Sequence, residues 1–369
     1  MGEAAHAHAH KVRCKPVTFD MVTARGDRLR AKAALRKAHA GRGFRFDIAD
    51  RKVEERLRTR LEAVERQLQR TVSADPRIAE LTGHVAAAGG KRLRPLLVLL
   101  AAEFGRPRRE GVTEIAVVME LVHIASLYHD DVMDAALTRR GAASANARWG
   151  NRMAVRGGDW LLARAAQLAA DVGLHAVHHN ARAAARLVEG QLRELMGPGP
   201  DEDPVTHYFE VITGKTVELL ATSLSLGASQ ADAPVEQAEA LTEYGTGLGI
   251  AFQIADDLID LLSPSEASGK EQGTDLRAGV PSLPVLLARA DRSPQGAELR
   301  ALLEGGPLTD PGAHRRALTL FRGSAAVDQA QAMMHDRVRS ARTALASLPR
   351  TPARAALDAL CEFVITRTA

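Results

Sequence analysis

Two acidic five-residue segments, each at the end of an apolar stretch, limit what this chain can fold into. Asp130, Asp131 and Asp134 belong to DDVMD, and DDLID contains Asp256, Asp257 and Asp260. Apolar residues recur every three or four positions before the first segment, which predicts a helix containing Ile115, Val118, Leu121, Val122 and Ala125. Residues four apart share a helix face, so Asp130 and Asp134 point the same way, as do Asp256 and Asp260. Like charges at this spacing destabilise a helix, so a cation is expected between them.

The paired carboxylates favour Mg²⁺, which uses few protein oxygens and shares phosphate oxygens with a substrate. A single DDxxD could equally be a solvated patch at a helix end. Two copies favour a metal site, because both follow apolar helical runs and both precede basic residues, Arg139 and Arg140 after the first copy and Lys270 after the second. We therefore expect two acidic helix faces to meet across a cavity and hold a diphosphate through divalent ions.

Composition favours an all-α fold. Hydrophobic residues make up 46% of the chain and aromatic residues only 4%, so Leu, Ala, Val and Ile must fill the core, as in packed helices. Helical segments are predicted over about 48–72 and 78–88, with Pro95 starting the next helix, and Gly and Pro residues separate the later ones. No β-type alternation is evident. The sequence predicts a single helical domain over residues 47–369.

The N-terminal head, residues 1–46, differs from the rest in charge. It contains eleven Lys or Arg and three acidic residues, whereas the whole chain has a net charge of only +4. A nucleic-acid or membrane-surface arm is one interpretation. A poorly ordered extension fits its composition better, and no nucleic-acid partner is predicted.

The remaining bulk features favour a cytoplasmic protein. Cys14 and Cys361 stand near opposite ends and form no disulfide or metal-ligand pattern. No apolar run approaches the roughly 18 residues of a membrane span, and the N-terminus lacks the apolar core of a secretory signal. No transmembrane segment is therefore expected.

A basic segment, Gly89-Gly90-Lys91-Arg92-Leu93-Arg94-Pro95, supplies the opposite charge. Lys91 and Arg94 are three residues apart at a predicted helix start, where free backbone N–H groups already favour an anion. By itself the segment could be a Gly-Gly stop followed by surface cations. Together with Arg139 and Arg140, it predicts a second phosphate site that is read by cations directly.

Five blocks along the chain resemble the trans-type polyprenyl diphosphate synthases. GGKRLRP, HIASLYHDDVMD with RRG, GKT, FQIADDLID and SGKEQGTD follow the order and spacing typical of that family. The resemblance extends from about residue 50 to residue 369. It implies an all-α isoprenoid-synthase-type bundle with a deep central cavity, and head-to-tail condensation of isopentenyl diphosphate with an allylic prenyl diphosphate. It also implies a homodimer, with transient membrane contact during product release.

The resemblance assigns a role to each matching residue. Isopentenyl diphosphate would be held by Lys91, Arg94, His123 and Arg140. The allylic diphosphate would be held by Arg139, Lys215, Thr216, Gln253 and Lys270. Mg²⁺ would be bound by Asp130, Asp134, Asp256 and Asp260, supported by Asp131 and Asp257.

The side chains before the first acidic segment bear on product length. A growing prenyl tail passes one turn below Asp130, where Ala125 and Ser126 are small. Small residues there favour a geranylgeranyl or longer product. A shorter-chain farnesyl or geranylgeranyl synthase remains an alternative.

Other classes of protein fit less well. A terpene cyclase also uses DDxxD but needs no second, metal-free diphosphate site, so Lys91, Arg94 and Arg140 argue against it. Gly214-Lys215-Thr216 is not a P-loop, because Phe209 stands where that motif requires glycine. A non-catalytic synthase subunit is the remaining alternative, although such a subunit is expected to lack one acidic segment.

Overall fold

The computed structural model describes residues 50–263 and 271–367. The head over residues 1–46, and hence the predicted domain boundary at residue 47, lies outside these ranges. The N-terminal half of the described chain contains α1 (Arg51–Val72), α2 (Ala79–Ala87), α3 (Leu93–Ala102), α4 (Val112–Met133), α5 (Ala145–Trp149), α6 (Asn151–Val172) and α7 (Leu174–Met196). The C-terminal half contains α8 (Pro204–Ile212), α9 (Glu218–Gln230), α10 (Val235–Leu262), α11 (Thr274–Ala278), α12 (Leu283–Ala290), α13 (Ala297–Glu304), α14 (Pro311–Phe321), α15 (Ala325–Ala346) and α16 (Pro352–Thr366).

The predicted all-α class is confirmed. Two short elements interrupt the helices: a β-hairpin of β1 (Thr138–Arg139) and β2 (Ala142–Ala143), and a π-helical turn, Thr213–Val217, between α8 and α9. The hairpin was not expected. It is only two residues long in each strand, which is too short to produce the alternation by which a strand is recognised.

Helix boundaries follow local signals. Asp50 caps α1 by accepting from the backbone N–H groups of Lys52 and Val53. Asp203 and Asp310 cap α8 and α14, each of which has proline at its first position. The predicted start at Pro95 was two residues late, because α3 begins at Leu93, after Arg92 in a left-handed conformation.

Helix α4 is the most enclosed element, and it carries the first acidic segment. Its apolar residues from Ile115 to Ala125 are fully buried, and it packs against α3, α6 and α9. Helix α10 carries the second acidic segment and packs against α9 and α15. Because α9 contacts both, it joins the two helices that bear the carboxylates.

Helix α4 bears on the expectation that the chain has no transmembrane segment. Among the described residues it alone is long and apolar enough to cross a membrane. However, 67% of its most apolar 18-residue stretch is buried inside the protein. Glu120 and His123 interrupt its apolar sequence. Burial of this kind is the environment of a core helix.

Candidate functional site

The first acidic segment occupies the end of α4. Asp130 and Asp131 lie in its last turn, and Asp134 is the C-cap, followed by Ala135 in a left-handed conformation that ends the helix. Asp131 is fully buried and accepts hydrogen bonds from Arg139 Nε at 2.8 Å and Nη2 at 2.5 Å. Arg139, predicted to hold the allylic diphosphate, is therefore also fixed by Asp131.

The carboxylate of Asp130 lies in a poorly solvated position. Burial raises its pKa to about 6; nearby Lys215 opposes the rise and Asp134 adds to it. The carboxylates of Asp130 and Asp134 form no hydrogen bond or ion pair with any group that the structure describes. A cation at this position would stabilise both in the ionised form.

The second acidic segment lies near the end of α10. Asp257 is buried and accepts hydrogen bonds from Tyr208 Oη at 2.7 Å, Gln253 Nε2 at 3.1 Å and the Leu283 N–H at 3.1 Å. Burial raises the pKa of Asp257 to about 6, and the three donors oppose that rise. This carboxylate therefore supports the segment from inside the protein.

Asp256 and Asp260 are less buried than Asp257. Asp256 Oδ1 accepts from Arg367 Nη2 at 2.5 Å. Asp260 Oδ2 accepts from the Asp275 N–H at 3.1 Å, which ties α10 to α11. The two residues predicted to bind metal on α10 thus already have partners in the protein.

The π-helical turn lies between the two acidic segments. Lys215 influences Asp130 electrostatically and pairs with Glu194 at 2.5 Å. Thr216 Oγ1 donates to Gln253 Oε1 at 2.9 Å, and Gln253 in turn donates to Asp257. Residues 213–217 therefore link the two segments, electrostatically to Asp130 on α4 and through hydrogen bonds to Asp257 on α10.

Close packing explains the glycine in Gly214-Lys215-Thr216. A Cβ atom on Gly214 would lie 2.6 Å from the Arg186 carbonyl oxygen and 3.0 Å from Gly190 Cα, so the turn approaches the backbone of α7 directly. This glycine permits a helix contact. Because Gly214 is packed against α7, its position agrees with the rejection of a P-loop from the sequence.

The basic segment forms a separate cationic cluster. Arg140 Nη1 donates to the Gly89 carbonyl and, at 3.3 Å, to that of Val85. A Cβ atom on Gly90 would lie 2.7 Å from Arg140 Nη1, so glycine leaves room for the guanidinium. Burial lowers the pKa of Arg94 to about 10, and its Nε is buried without a partner in the described structure. An unsatisfied donor of this kind favours an anionic ligand.

His123 joins this cluster from α4. Burial lowers its pKa well below the ordinary value, and the charges of Arg94 and Arg140 lower it further. The imidazole is therefore neutral at pH 7 and has one N–H to donate to a ligand. Arg92 differs from its neighbours, because it pairs with Glu65 at 2.8 Å and Glu120 at 2.9 Å and so holds the helices together.

Lys91 lies on the side of the cluster nearest the second acidic segment. Burial lowers its pKa, Arg367 lowers it further, and Asp256 opposes the change. Its ammonium is 6.0 Å from the centre of the Phe363 ring on α16. Lys91 therefore connects the predicted isopentenyl diphosphate site to Asp256.

The remaining predicted site residues are Lys270 and the two chain-length positions, Ala125 and Ser126. Lys270 lies outside the described residues. Ala125 is fully buried, whereas Ser126 is partly exposed on the Asp130 face of α4 and donates to the His123 carbonyl at 2.8 Å. Of the two predicted chain-length positions, Ser126 is the one with accessible surface.

Three residues near the acidic segments were not identified from the sequence: Glu194, Tyr208 and Arg367. Tyr208 and Arg367 bond to carboxylates 49 and 111 positions away, respectively. No local pattern marks such contacts. A basic residue near the C-terminus was the only signal that could have indicated Arg367.

The carboxylates suit a divalent ion that is shared with a substrate. Among residues 50–263 and 271–367, no group of three or more acidic, His or Cys side chains could hold a metal ion. Mg²⁺ in proteins uses one or two carboxylates together with water and substrate phosphates. The pairs Asp130 with Asp134 and Asp256 with Asp260 fit that donor set when a diphosphate supplies the remaining oxygens.

Several known proteins are similar to this chain in sequence. The nonaprenyl diphosphate synthase of Mycobacterium tuberculosis is 45% identical over 295 residues, 80% of this chain and 88% of that protein. Heptaprenyl diphosphate synthase component 2 of Geobacillus stearothermophilus is 35% identical over 306 residues, 82% of this chain and 94% of that protein.

A solved structure shares the fold. The geranylgeranyl pyrophosphate synthase of Corynebacterium glutamicum, complexed with calcium and isoprenyl diphosphate, superposes with a TM-score of 0.80 at 40% identity. The match covers 88% of this chain and 100% of that one. The predicted isoprenoid-synthase-type bundle is thereby confirmed.

The polyprenyl synthetase family model matches residues 75–320, a range that contains both acidic segments and the basic cluster. Members of this family depend on divalent metal ions. The chain therefore belongs to the polyprenyl synthetase family and is a prenyltransferase.

Proposed function

We propose that this protein catalyses the Mg²⁺-dependent head-to-tail condensation of isopentenyl diphosphate with an allylic prenyl diphosphate, giving a geranylgeranyl or longer trans-prenyl diphosphate. One observation carries the proposal. Residues of the π-helical turn interact with both acidic segments: Lys215 acts electrostatically on Asp130, and Thr216 donates to Gln253, which in turn donates to Asp257. A separate cluster of cations with an unsatisfied donor lies at the start of α3.

The two regions suit two diphosphates. Asp130, Asp134, Asp256 and Asp260 would hold Mg²⁺, which when bound supplies Lewis-acid stabilisation of the charge on a departing diphosphate. Arg139, Lys215 and Lys270 would hold the same allylic diphosphate directly, with Thr216 and Gln253 as neutral partners. Asp131 holds Arg139 and Glu194 holds Lys215 before the C–O bond ionises, so these two cations need little reorganisation.

Isopentenyl diphosphate would bind to the cationic cluster. Lys91, Arg94 and Arg140 supply positive charge, and neutral His123 supplies one hydrogen-bond donor. The double bond of this substrate would attack the allylic cation, and the released diphosphate would accept the proton. No side chain is then required as nucleophile or general base, which agrees with a site made of carboxylates and cations. Exclusion of water would protect the cation from hydrolysis.

The product is proposed to be longer than farnesyl. Ala125 and Ser126 are small, so no bulky side chain stands one turn below Asp130. The relatives named above are synthases of geranylgeranyl, heptaprenyl and nonaprenyl diphosphates.

A homodimer is proposed from the surface of α6 and α7. Exposed apolar side chains on these neighbouring helices include Met153, Val155, Leu174, Val188, Leu192, Leu195 and Met196. Extended exposed apolar surface marks association sites. The dimer is expected to be cytoplasmic, with residues 1–46 as an extension outside the catalytic domain and with membrane contact only during product release.

The proposal is tested by removing one carboxylate from each segment. Asp130→Asn and Asp256→Asn should each reduce Mg²⁺-dependent condensation by at least ~100-fold, about 2.7 kcal/mol of barrier, with helicity unchanged by circular dichroism. Asp336→Asn, which breaks an exposed ion pair on α15, is the control and should retain activity.

The same assay addresses the subunit alternative. The purified protein would be incubated with isopentenyl diphosphate, each short allylic diphosphate and Mg²⁺, and the dephosphorylated products sized. Lack of product from the wild-type protein alone would favour the non-catalytic subunit, whereas near-normal turnover in either Asn variant would contradict the metal assignment.

A further inference from the structure

The end of α16 brings a cation to the second acidic segment. Arg367, directly after the helix, donates from Nη2 to Asp256 Oδ1 at 2.5 Å. The side chain of Arg367 is only 18% exposed and that of Asp256 is 41% exposed. The carboxylate is therefore accessible from outside while a guanidinium occupies one of its oxygens.

Aromatic rings hold Arg367 in this position. The guanidinium carbon lies 4.7 Å from the centre of the Phe252 ring, one helical turn before Asp256, and 5.4 Å from that of Phe363 on α16. Contacts of this kind stabilise a cation whose hydration is reduced. They place the planar group beside the carboxylate without saturating its donors.

The guanidinium is incompletely satisfied in this arrangement. Its Nη1 is buried and has no hydrogen-bond partner in the described structure. A buried donor without a partner costs roughly 1–3 kcal/mol. Lys91 is a second cation close to both Asp256 and Arg367, and the repulsion between Lys91 and Arg367 weakens the arrangement further. The contact is therefore one that a stronger ligand of Asp256 can replace.

A divalent ion on either oxygen of the Asp256 carboxylate would lie close to the guanidinium that is bonded to Oδ1. Two cations cannot approach one carboxylate oxygen without strong mutual repulsion. The last turn of α16 is also the easiest part of that helix to displace, because helix ends have fewer contacts than helix interiors.

We propose that Arg367 is the counter-ion of Asp256 in the metal-free enzyme, and that metal binding at the second acidic segment displaces it and releases the C-terminal turn of α16. Arg367 is thus a positioning residue, which holds the Asp256 carboxylate in place until the ion arrives. This inference rests on the proposed function, because it takes Asp256 as a metal ligand.

The test compares metal affinity in the absence of any diphosphate. Mn²⁺ would be titrated into the full-length protein and the free ion measured by electron paramagnetic resonance. Arg367→Gln should bind Mn²⁺ about fivefold more tightly than wild type, the size expected for one partly exposed ion pair. Arg367→Lys, which keeps the charge, should remain near wild type.

Arg342→Gln is the matched control. Arg342 pairs with Asp358 at 2.8 Å and Glu362 at 2.9 Å, so it also anchors α16 through ion pairs, but to α15 and away from Asp256. Its Mn²⁺ affinity should equal that of wild type. Equal affinity in Arg367→Gln and wild type, or undetectable binding in every protein, would overturn the proposal.

Hydrogen exchange gives a second readout. Amides of residues 363–367 in the wild-type protein should exchange faster after Mg²⁺ is added, and those of Arg367→Gln should change little. Slower exchange of the wild-type turn with metal would contradict release. Suppose that Arg367→Gln binds Mn²⁺ more tightly than wild type but the wild-type protein makes no prenyl product. That outcome would disprove the proposed reaction and leave the role of Arg367 intact.

Discussion

At the scale of single residues, Asp257 illustrates how a carboxylate can be buried beside a metal site. Three donors satisfy it, and burial still raises its pKa to about 6. One of these donors, Tyr208, comes from α8 and so links that helix to α10. Removal of a single donor should therefore disturb the acidic segment without removing any proposed metal ligand.

Tyr208→Phe tests this link. We expect roughly a tenfold loss of activity (~1.4 kcal/mol), because Asp257 loses one of its hydrogen bonds and the segment is less well oriented. Tyr244→Phe is the control. Tyr244 lies on α10, the helix of Asp257, and this change also removes a buried hydrogen bond, to the Leu357 carbonyl at 2.8 Å. In the described structure Tyr244 makes no hydrogen bond to the acidic segment. Steady-state kinetics should show a loss of activity in the first variant only.

Ser126→Phe tests the path of the prenyl tail. Ser126 is partly exposed on the Asp130 face of α4, so a phenyl ring there should stop elongation early and shorten the product. Ala125→Phe should also shorten it, but Ala125 is fully buried and the added ring should lower stability by ~1–3 kcal/mol as well. Product sizing together with thermal unfolding separates the two effects. An unchanged product in both variants would place the cavity floor elsewhere.

At the scale of elements, α7 combines two features on its surface. His175 and His179 approach each other with ring centres 4.3 Å apart, and exposed apolar residues continue toward the C-terminus of the helix. Burial, together with the charges of His175 and Arg182, lowers the pKa of His179 to about 4. The folded protein therefore disfavours protonation of the His179 imidazole.

The depressed pKa of His179 predicts a pH effect on stability. An unfolded imidazole titrates near its ordinary value, about 6.5, so the unfolded chain binds more protons between the two pKa values. Stability is thus fully present above about pH 6.5 and is lost as the pH falls toward 4. Because His179 is partly exposed, we expect a loss below about 1 kcal/mol between pH 7 and pH 5.

Urea unfolding at pH 7 and pH 5 measures this effect. His179→Asn should lose less stability on acidification than wild type. His335→Asn, which changes an exposed histidine on α15, should behave like wild type. An identical pH dependence in all three proteins would assign the effect to other groups.

At the scale of the whole molecule, the apolar surface of α6 and α7 is expected to join two copies of the chain. Leu192→Glu should yield a monomer in multi-angle light scattering, because a charge in the centre of an apolar interface is left without a partner. Val235→Glu changes an exposed apolar residue at the start of α10 and is the control. A wild-type protein that is monomeric at micromolar concentration would contradict the proposed dimer.

The head is the other feature at this scale. Deletion of residues 1–46 should leave condensation activity within about tenfold of wild type (~1.4 kcal/mol), because all of the proposed site residues lie beyond it in the sequence. Product yield from the two proteins at equal concentration checks this. A larger loss would show that the basic head takes part in catalysis or assembly.

The local part of this protein was determined by the sequence alone. Apolar spacing and the acidic pairs depend only on the helical repeat, so the helices, the shared faces of Asp130 with Asp134 and Asp256 with Asp260, and the basic segment at the start of α3 were all predictable. Apolar spacing and the Gly and Pro stops placed the predicted helices over about 48–72 and 78–88 within three residues of the ends of α1 and α2. Pattern similarity across five blocks then indicated the family.

Only the tertiary structure decided which groups neutralise these charges. The partners of Asp256 and Asp257 come from α16 and α8, and Arg92 became a structural cation while its neighbour Arg94 kept an unsatisfied donor. Spacing along the chain cannot distinguish Arg92 from Arg94, because both are cations at one helix start. Burial and the approach of distant helices set their different roles, since electrostatic interactions depend on separation in space and on access of water.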